Sequence, residues 1–161
     1  MLLSAKFAAL IVFVVGVQAE THTVVFVNRC GRGTPRLKRN GVTLSTGGPY
    51  TSNGKHRLCT ASSQLLIART GCGADGEGCT MVETTLVNPT TPGSGSSTDI
   101  TLIPPHEFSV TTGFGYYNGC DGAGTDCTNP SCPLAFRKPS DTFAQVACQA
   151  DNVNLAITFC D

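Results

Sequence analysis

Short stretches in which apolar and polar residues alternate are the main feature of the chain. In 153–159, apolar side chains occupy every second position, with Asn154, Ala156 and Thr158 between them. A period of two predicts a half-buried β-strand. The segment 22–28 (HTVVFVN) is rich in β-branched and aromatic residues and predicts a second strand. Further strands are predicted at 42–45, 65–69, 81–87, 100–103, 108–112 and 142–147.

Turn signals separate these predicted strands, and no segment shows a sustained 3.6-residue apolar period. Asn40-Gly41 and Asn53-Gly54 are typical of tight turns, and 88–98 (NPTTPGSGSST) has the composition of a flexible loop. Short strands with turns between them predict an all-β fold, either a sandwich or a barrel. The length of 161 residues and the lack of internal repeats favour one domain.

Residues 1–19 have the pattern of a secretory signal peptide. Lys6 supplies the positive charge, 7–17 is an apolar run of eleven residues, and Ala19 offers a small residue at the cleavage site. A membrane-spanning helix needs ~20 apolar residues, and Glu20 and His22 end this run too early. The sequence therefore predicts a secreted, extracellular protein whose single domain spans 20–161, without a transmembrane segment.

The nine cysteines indicate a disulfide framework if the chain is secreted. Cys72 and Cys79 enclose a Gly/Asp-rich stretch and are able to close a small loop, and Cys30 and Cys160 are candidates for joining the two ends. Sequence alone leaves the connectivity open. Because nine is odd, at least one thiol stays free or pairs with another chain.

Metal binding is not favoured by the spacing of possible ligands. The cysteine spacings differ from those of common zinc modules, and His22, His56 and His106 lie far apart in the sequence. We therefore predict that these histidines are surface or turn residues, and we predict no metal and no cofactor.

Sugar attachment to asparagine is also disfavoured. Both Asn-x-Ser/Thr stretches, 88–90 and 129–131, have proline at the central position, which blocks N-glycosylation. O-linked sugars on residues 90–98 remain open.

The formal net charge of zero hides two regions of opposite charge. Residues 29–71 carry eight Lys/Arg and no Asp/Glu, whereas residues 72–161 carry two basic and ten acidic side chains. A neutral chain is unsuited to nucleic-acid binding by phosphate neutralisation. The first region predicts a basic face that attracts anionic lipids or acidic polymers, and its alternative is a pair of solvated hairpin loops. The candidate residues of this face are Arg36, Lys38, Arg39, Lys55 and Arg57.

Five local motifs follow one another in a distinctive order over most of residues 22–161. They are Val27-Asn28-Arg29-Cys30; Ala68-Arg69-Thr70-Gly71-Cys72; Thr80-Met81-Val82-Glu83-Thr84-Thr85-Leu86 followed by Thr98-Asp99-Ile100; Asp141-Thr142-Phe143 followed by Val146-Ala147-Cys148; and Ile157-Thr158-Phe159-Cys160. This order resembles that of the thaumatin-like, pathogenesis-related proteins. It is most similar to the compact members and to the small secreted fungal relatives described as glycopeptides.

The resemblance implies a flattened, antiparallel two-sheet β-sandwich that is rich in disulfides. The large members carry a loop-rich second domain, which is mostly deleted here between Cys120 and Cys148. Cys59 matches no position of the family, so it is the candidate free thiol and allows a disulfide-linked dimer of an otherwise monomeric protein. The implied disulfide pairs are Cys30–Cys160, Cys72–Cys79, Cys120–Cys148 and Cys127–Cys132.

Two carboxylates are the candidate chemical site. By resemblance, Glu83 and Asp99 match acidic residues of the cleft in which some large thaumatin-like proteins bind or hydrolyse β-1,3-glucans. Glycoside hydrolysis needs two carboxyl groups, one protonated and one ionised, on either side of the bond. Other acidic positions of that cleft are not matched here, and the alternative is that both are solvated strand-end carboxylates. We therefore predict no catalytic residue, with Glu83 and Asp99 as the only candidates for weak glucanase activity.

Aromatic residues next to glycines suggest a binding surface. Phe114, Tyr116 and Tyr117 precede Cys120, and flat aromatic faces beside carboxylates suit stacking on sugar rings. The alternative is that Phe114 and one tyrosine belong to the core.

The leading hypothesis is a non-enzymatic module that binds cell-wall polysaccharide, with β-glucan as the partner, through Glu83, Asp99 and these aromatic residues. The second hypothesis is a membrane-perturbing antifungal protein that acts through the basic segment 29–57, and the third is a weak endo-β-1,3-glucanase.

Overall fold

The computed structural model of the chain describes residues 19–53 and 72–161. The predicted signal peptide up to residue 18, the predicted strand 65–69, and the residues Lys55, His56, Arg57 and Cys59 lie outside these ranges. In the described part of the chain, no helix is long and apolar enough to span a bilayer.

The described ranges form an all-β structure, as predicted. Its strands and one 3₁₀ turn are β1 (Thr21–Asn28), β2 (Leu37–Arg39), β3 (Val42–Ser45), β4 (Tyr50–Asn53), β5 (Met81–Thr85), β6 (Ser96–Thr101), β7 (Thr112–Tyr117), β8 (Gly124–Cys127), the 3₁₀ turn (Thr142–Ala144), β9 (Val146–Cys148) and β10 (Asn154–Phe159). A five-stranded sheet has the order β4-β1-β10-β7-β8, a three-stranded sheet has the order β5-β6-β9, and β2 pairs with β3.

The pairing is antiparallel between all these neighbours except β1 and β10, which run parallel. This pair departs from the fully antiparallel order that the sequence predicts. Asn28 at the end of β1 lies opposite Phe159 at the end of β10. The parallel register therefore brings the next cysteines along each strand, Cys30 and Cys160, to the same edge, with 5.0 Å between their Cα atoms.

The two larger sheets share one apolar core. Val82 and Ile100 of the three-stranded sheet and Leu155 and Ile157 of the five-stranded sheet are each 0% exposed and belong to a single cluster. Because side chains alternate along a strand, each sheet turns its other face away from this core. The molecule is thus a β-sandwich, and residues one position apart on a strand lie on opposite sides of it.

Four disulfides connect the strands, and all four pairs that the resemblance implies are confirmed. Cys30–Cys160 joins the ends of β1 and β10, and Cys120–Cys148 links the β7–β8 turn to β9 of the other sheet. Cys72–Cys79 and Cys127–Cys132 close short loops, with sequence separations of 7 and 5.

Local sequence signals explain several of these elements. Asn40 and Gly41 connect β2 and β3 as the two residues of a hairpin turn, with φ angles of 48° and 77°. Positive φ at both positions is what a type I′ turn requires, and Asn-Gly is its preferred sequence.

Three predicted strands are displaced in the structure. The predicted strand 108–112 is wrong, because β7 begins only at Thr112 and continues through the glycine-rich stretch to Tyr117. The predicted strand 100–103 corresponds to β6, which starts earlier and spans 96–101. The predicted strand 142–147 is divided in the structure into the 3₁₀ turn and β9. Glycines in β7 and serines in β6 hide the apolar alternation that marks a strand.

Candidate functional site

Glu83 and Asp99 lie directly opposite each other on β5 and β6. Val82 and Ile100, their neighbours on each strand, point into the core, so the two carboxyl groups point to the other face of the three-stranded sheet. Side chains paired in this way have Cβ atoms about 4.5–5.5 Å apart. The structure therefore brings together the two acidic residues that the sequence singles out.

Both acidic side chains are partly removed from water. Asp99 is only 8% exposed and Glu83 is half-buried. Burial raises the pKa of Asp99 to about 7, and the negative charge of Glu83 adds to the rise. Burial also raises the pKa of Glu83 above 4.5, while the charge of His106 lowers it. Asp99 therefore keeps part of its proton near neutral pH, and the pair ionises at a higher pH than two ordinary carboxyl groups.

A disulfide-closed loop positions His106, whose charge acts on Glu83. Its Nδ1 donates to the carbonyl oxygen of Gly76 at 2.9 Å, inside the loop closed by Cys72 and Cys79. The amide of Gly78 in the same loop donates to the carbonyl of Pro105 at 2.7 Å. The sequence gives no signal that connects His106 with Glu83, because His106 is 23 positions away and follows β6 in a loop, where no periodicity relates the two residues.

Within residues 19–53 and 72–161, neither Glu83 nor Asp99 has a side-chain hydrogen-bond partner, although both are partly buried. A pair that is half protonated contains both a hydroxyl donor and carboxylate acceptors. This arrangement matches two adjacent hydroxyl groups of a sugar ring, one of which donates a hydrogen bond and one of which accepts it.

Phe114 and Tyr116 point into the core, at 5% and 3% exposed, with their rings in an edge-to-face contact. The Tyr116 hydroxyl lies 2.9 Å from Thr98 Oγ1 and 3.0 Å from the carbonyl oxygen of Val146. It thus joins the two sheets, and burial raises its pKa to about 12. The prediction that these two rings stack on sugars is wrong, because β7 turns them inward, and the alternative that they are core residues is confirmed.

Tyr117 lies on the opposite side of β7 and is half-buried. It lines a shallow depression of ≈ 620 Å³ on the outer face of the five-stranded sheet, together with Gly115, Asp126 and Thr158. The outer faces of the two sheets are on opposite sides of the sandwich. Tyr117 and the acidic pair therefore do not form one groove, contrary to the binding surface predicted from the sequence.

The predicted basic face loses one of its members. Lys38 is only 8% exposed, and its Nζ donates to the Asp75 carboxylate at 2.6 Å and to the carbonyl of Ala74 at 2.8 Å. This ion pair attaches β2 to the loop closed by Cys72 and Cys79. Arg36 is exposed and Arg39 is half-buried. The prediction that Lys38 offers a free charge is wrong, because an acidic residue 37 positions away neutralises it.

The sequence predicts that His22 is a surface or turn residue, and this prediction is wrong. His22 is a buried strand residue and is only 2% exposed. Its Nδ1 lies 2.6 Å from the Val153 carbonyl oxygen, and its Nε2 lies 2.9 Å from Glu20 Oε1. Glu20 also accepts the backbone N–H of Asn88 at 2.7 Å. In the described ranges, no group of three or more His, Cys, Asp or Glu side chains is arranged to hold a metal ion.

The fold was compared with known proteins and solved structures. No protein-family model and no curated protein sequence matches the chain. The structure of the thaumatin-like xylanase inhibitor TLXI is similar at 15% sequence identity, with a TM-score of 0.48. The similarity covers 87% of this chain and 99% of that chain.

Proposed function

We propose that the protein is a secreted, non-enzymatic module of the thaumatin-like type that binds cell-wall polysaccharide, with β-glucan as the ligand. In this proposal it acts in a defence, effector or wall-associated role outside the cell. The observation that carries the proposal is the opposed Glu83–Asp99 pair on the outer face of the three-stranded sheet. The sequence motifs that resemble thaumatin-like proteins include both of these residues.

The charge state of the pair suits binding to neutral sugars. Asp99, whose pKa is about 7, is partly protonated near neutral pH, so its carboxyl group is able to donate a hydrogen bond as well as to accept one. Hydrogen bonds to a charged group contribute about 1.5–3 kcal/mol each, more than neutral ones. A few such contacts give specificity for a sugar whose hydroxyl groups have the matching spacing.

The sequence resemblance favours binding over hydrolysis. In a glycosidase, an acid and a nucleophile or base flank the bond that breaks. Glu83 and Asp99 lie directly opposite each other on adjacent strands, but other acidic positions of the cleft in large thaumatin-like proteins are not matched in this chain. We therefore place binding first and keep hydrolysis as an alternative with its own test.

A pull-down on insoluble β-1,3-glucan tests the proposal. Wild-type protein is expected to be retained at low salt, and Glu83→Gln and Asp99→Asn are each expected to weaken binding about tenfold or more. Asp151→Asn is the matched control, since Asp151 is exposed and far along the chain from the pair. Lack of retention of the wild type, or equal retention of all four proteins, would contradict the proposal.

The membrane-perturbing hypothesis has weaker support, because Lys38 is neutralised by Asp75 rather than offered to a lipid surface. The glucanase hypothesis has its own test in the release of reducing sugar from β-1,3-glucan. Activity that Glu83→Gln abolishes, while the fold is retained, would replace the binding proposal with an enzymatic one.

A further inference from the structure

The hydroxyl-rich stretch 88–98 is ordered, although its composition predicts a flexible loop. Ser96 and Thr98 lie in β6 and are both 0% exposed. Ser94 Oγ accepts the backbone N–H groups of Thr90 and Thr91, both at 2.9 Å, and donates to the carbonyl of Thr91 at 2.8 Å. The hydroxyl groups of this stretch therefore differ widely in accessibility.

A tight turn presents Thr91 to solvent. The amide of Ser94 donates to the Thr91 carbonyl at 3.1 Å, with Pro92 and Gly93 between them and a φ of 84° at Gly93. Proline followed by a residue of positive φ is the signature of a type II turn. Gln149 Oε1 holds this turn by accepting the amide of Gly93 at 3.0 Å.

Thr91 has the free hydroxyl group of this turn. Thr91 is exposed, and its Oγ1 has no hydrogen-bond partner among the described residues. Thr90 Oγ1, in contrast, lies 3.4 Å from Ser94 Oγ. A shallow depression of ≈ 490 Å³ lies beside Thr91 and is lined in part by Pro89 and Pro92. The apolar face of a sugar on Thr91 has room to lie against these proline rings.

We propose that Thr91 is an O-glycosylation site that receives a neutral sugar in the secretory pathway. A glycosyltransferase uses a sugar linked to a nucleotide or lipid phosphate as the donor. Thr91 Oγ1 attacks the anomeric carbon, the bond from that carbon to the phosphate oxygen breaks, and the phosphate leaves with the bonding electrons. The hydroxyl proton passes to a base of the transferase. The proposal rests on the secretion that the proposed function assumes, but not on glucan binding.

Intact-mass and peptide mass spectrometry of the secreted protein test this site. The full chain is expressed in a eukaryotic secretory host that performs O-glycosylation and is purified from the medium. The expected result is a hexose or N-acetylhexosamine on Thr91, no sugar on Ser96 or Thr98, and complete loss of this modification in Thr91→Val. The matched variant Thr90→Val is expected to keep it.

Three outcomes would overturn the inference: an unmodified stretch 88–98 in secreted protein, a sugar on Thr90 alone, or a sugar on a hydroxyl of β6. Protein retained in the cytosol with residues 1–19 attached would overturn both the inference and the secreted role, because Thr91 would never meet the transferase. If the secreted protein carries the sugar on Thr91 but does not bind glucan, that result contradicts only the proposed function.

Discussion

Replacing Asp99 with asparagine is predicted to make the fold more stable at alkaline pH but not at acidic pH. Asp99 is 8% exposed, and its carboxyl group has a pKa of about 7 in the folded state, against 3.8 for an ordinary aspartate. Asparagine has nearly the same shape and no charge. The substitution therefore removes the cost of ionising a buried group that already faces Glu83.

The direction of the pH effect follows from proton binding. Between about pH 4 and 7 the folded state holds the Asp99 proton while the unfolded state has released it, so stability falls as pH rises through this window. Below this pH window, Asp99 is protonated in both the folded and the unfolded state, and above the window it is ionised in both states. At about 1.36 kcal/mol for each pKa unit, the interval from 3.8 to about 7 corresponds to a loss of at most about 4 kcal/mol at pH 8.

The assay is urea unfolding of the disulfide-intact protein at pH 4 and pH 8. Asp99→Asn is expected to gain up to about 4 kcal/mol over wild type at pH 8 and almost nothing at pH 4. Asp151→Asn, at an exposed position, is the control and is expected to change stability little at either pH. A difference between Asp99→Asn and wild type that is the same at both pH values, or a variant less stable at pH 8, would refute the reasoning.

Two further changes test the core and the framework. Tyr116→Phe removes a hydroxyl that links the two sheets at 2.9 and 3.0 Å, so urea unfolding is expected to show a loss of about 1–2 kcal/mol with glucan retention unchanged. Unchanged stability or lost retention would count against a purely structural role. Replacing Cys30 and Cys160 together by serine opens a loop with a sequence separation of 130, and is expected to cost about 4–5 kcal/mol in thermal or urea unfolding. A cost near zero would mean that the parallel β1–β10 pair holds the two ends without the disulfide.

The strands that the sequence predicts best are those whose two faces differ chemically. The stretch 153–159 alternates strictly, and its apolar positions Val153, Leu155, Ile157 and Phe159 are all at most 1% exposed. β7 is different, because Gly113 and Gly115 occupy two positions of its outer face and contribute no side chain there. Side chains along β7 therefore alternate in size rather than in polarity, so the pattern of apolar and polar residues has no period of two in this strand.

The sequence predicts that Glu83 and Asp99 form a pair, but it does not predict which residues surround them or how deeply they are buried. Glu83 lies on the predicted strand 81–87 and Asp99 directly precedes the predicted strand 100–103, so their contact requires only a hairpin-like pairing of β5 and β6. Their burial and the approach of His106 depend on segments brought in by the tertiary fold. The side on which Tyr117 lies depends on the register of β7 with β10, which fixes Phe114 and Tyr116 inside. The neutralisation of Lys38 is hidden in the sequence for the same reason, since its partner Asp75 belongs to a distant loop.

The most direct test of the central claim is a nuclear magnetic resonance titration of the labelled protein with a soluble β-1,3-glucan oligosaccharide. We expect saturable shifts confined to Glu83, Asp99 and His106 and their neighbours on β5 and β6, and we expect Glu83→Gln to lose these shifts. Shifts confined to the outer face of the five-stranded sheet around Tyr117 and Asp126 would contradict this claim, as would a spectrum that the sugar leaves unchanged.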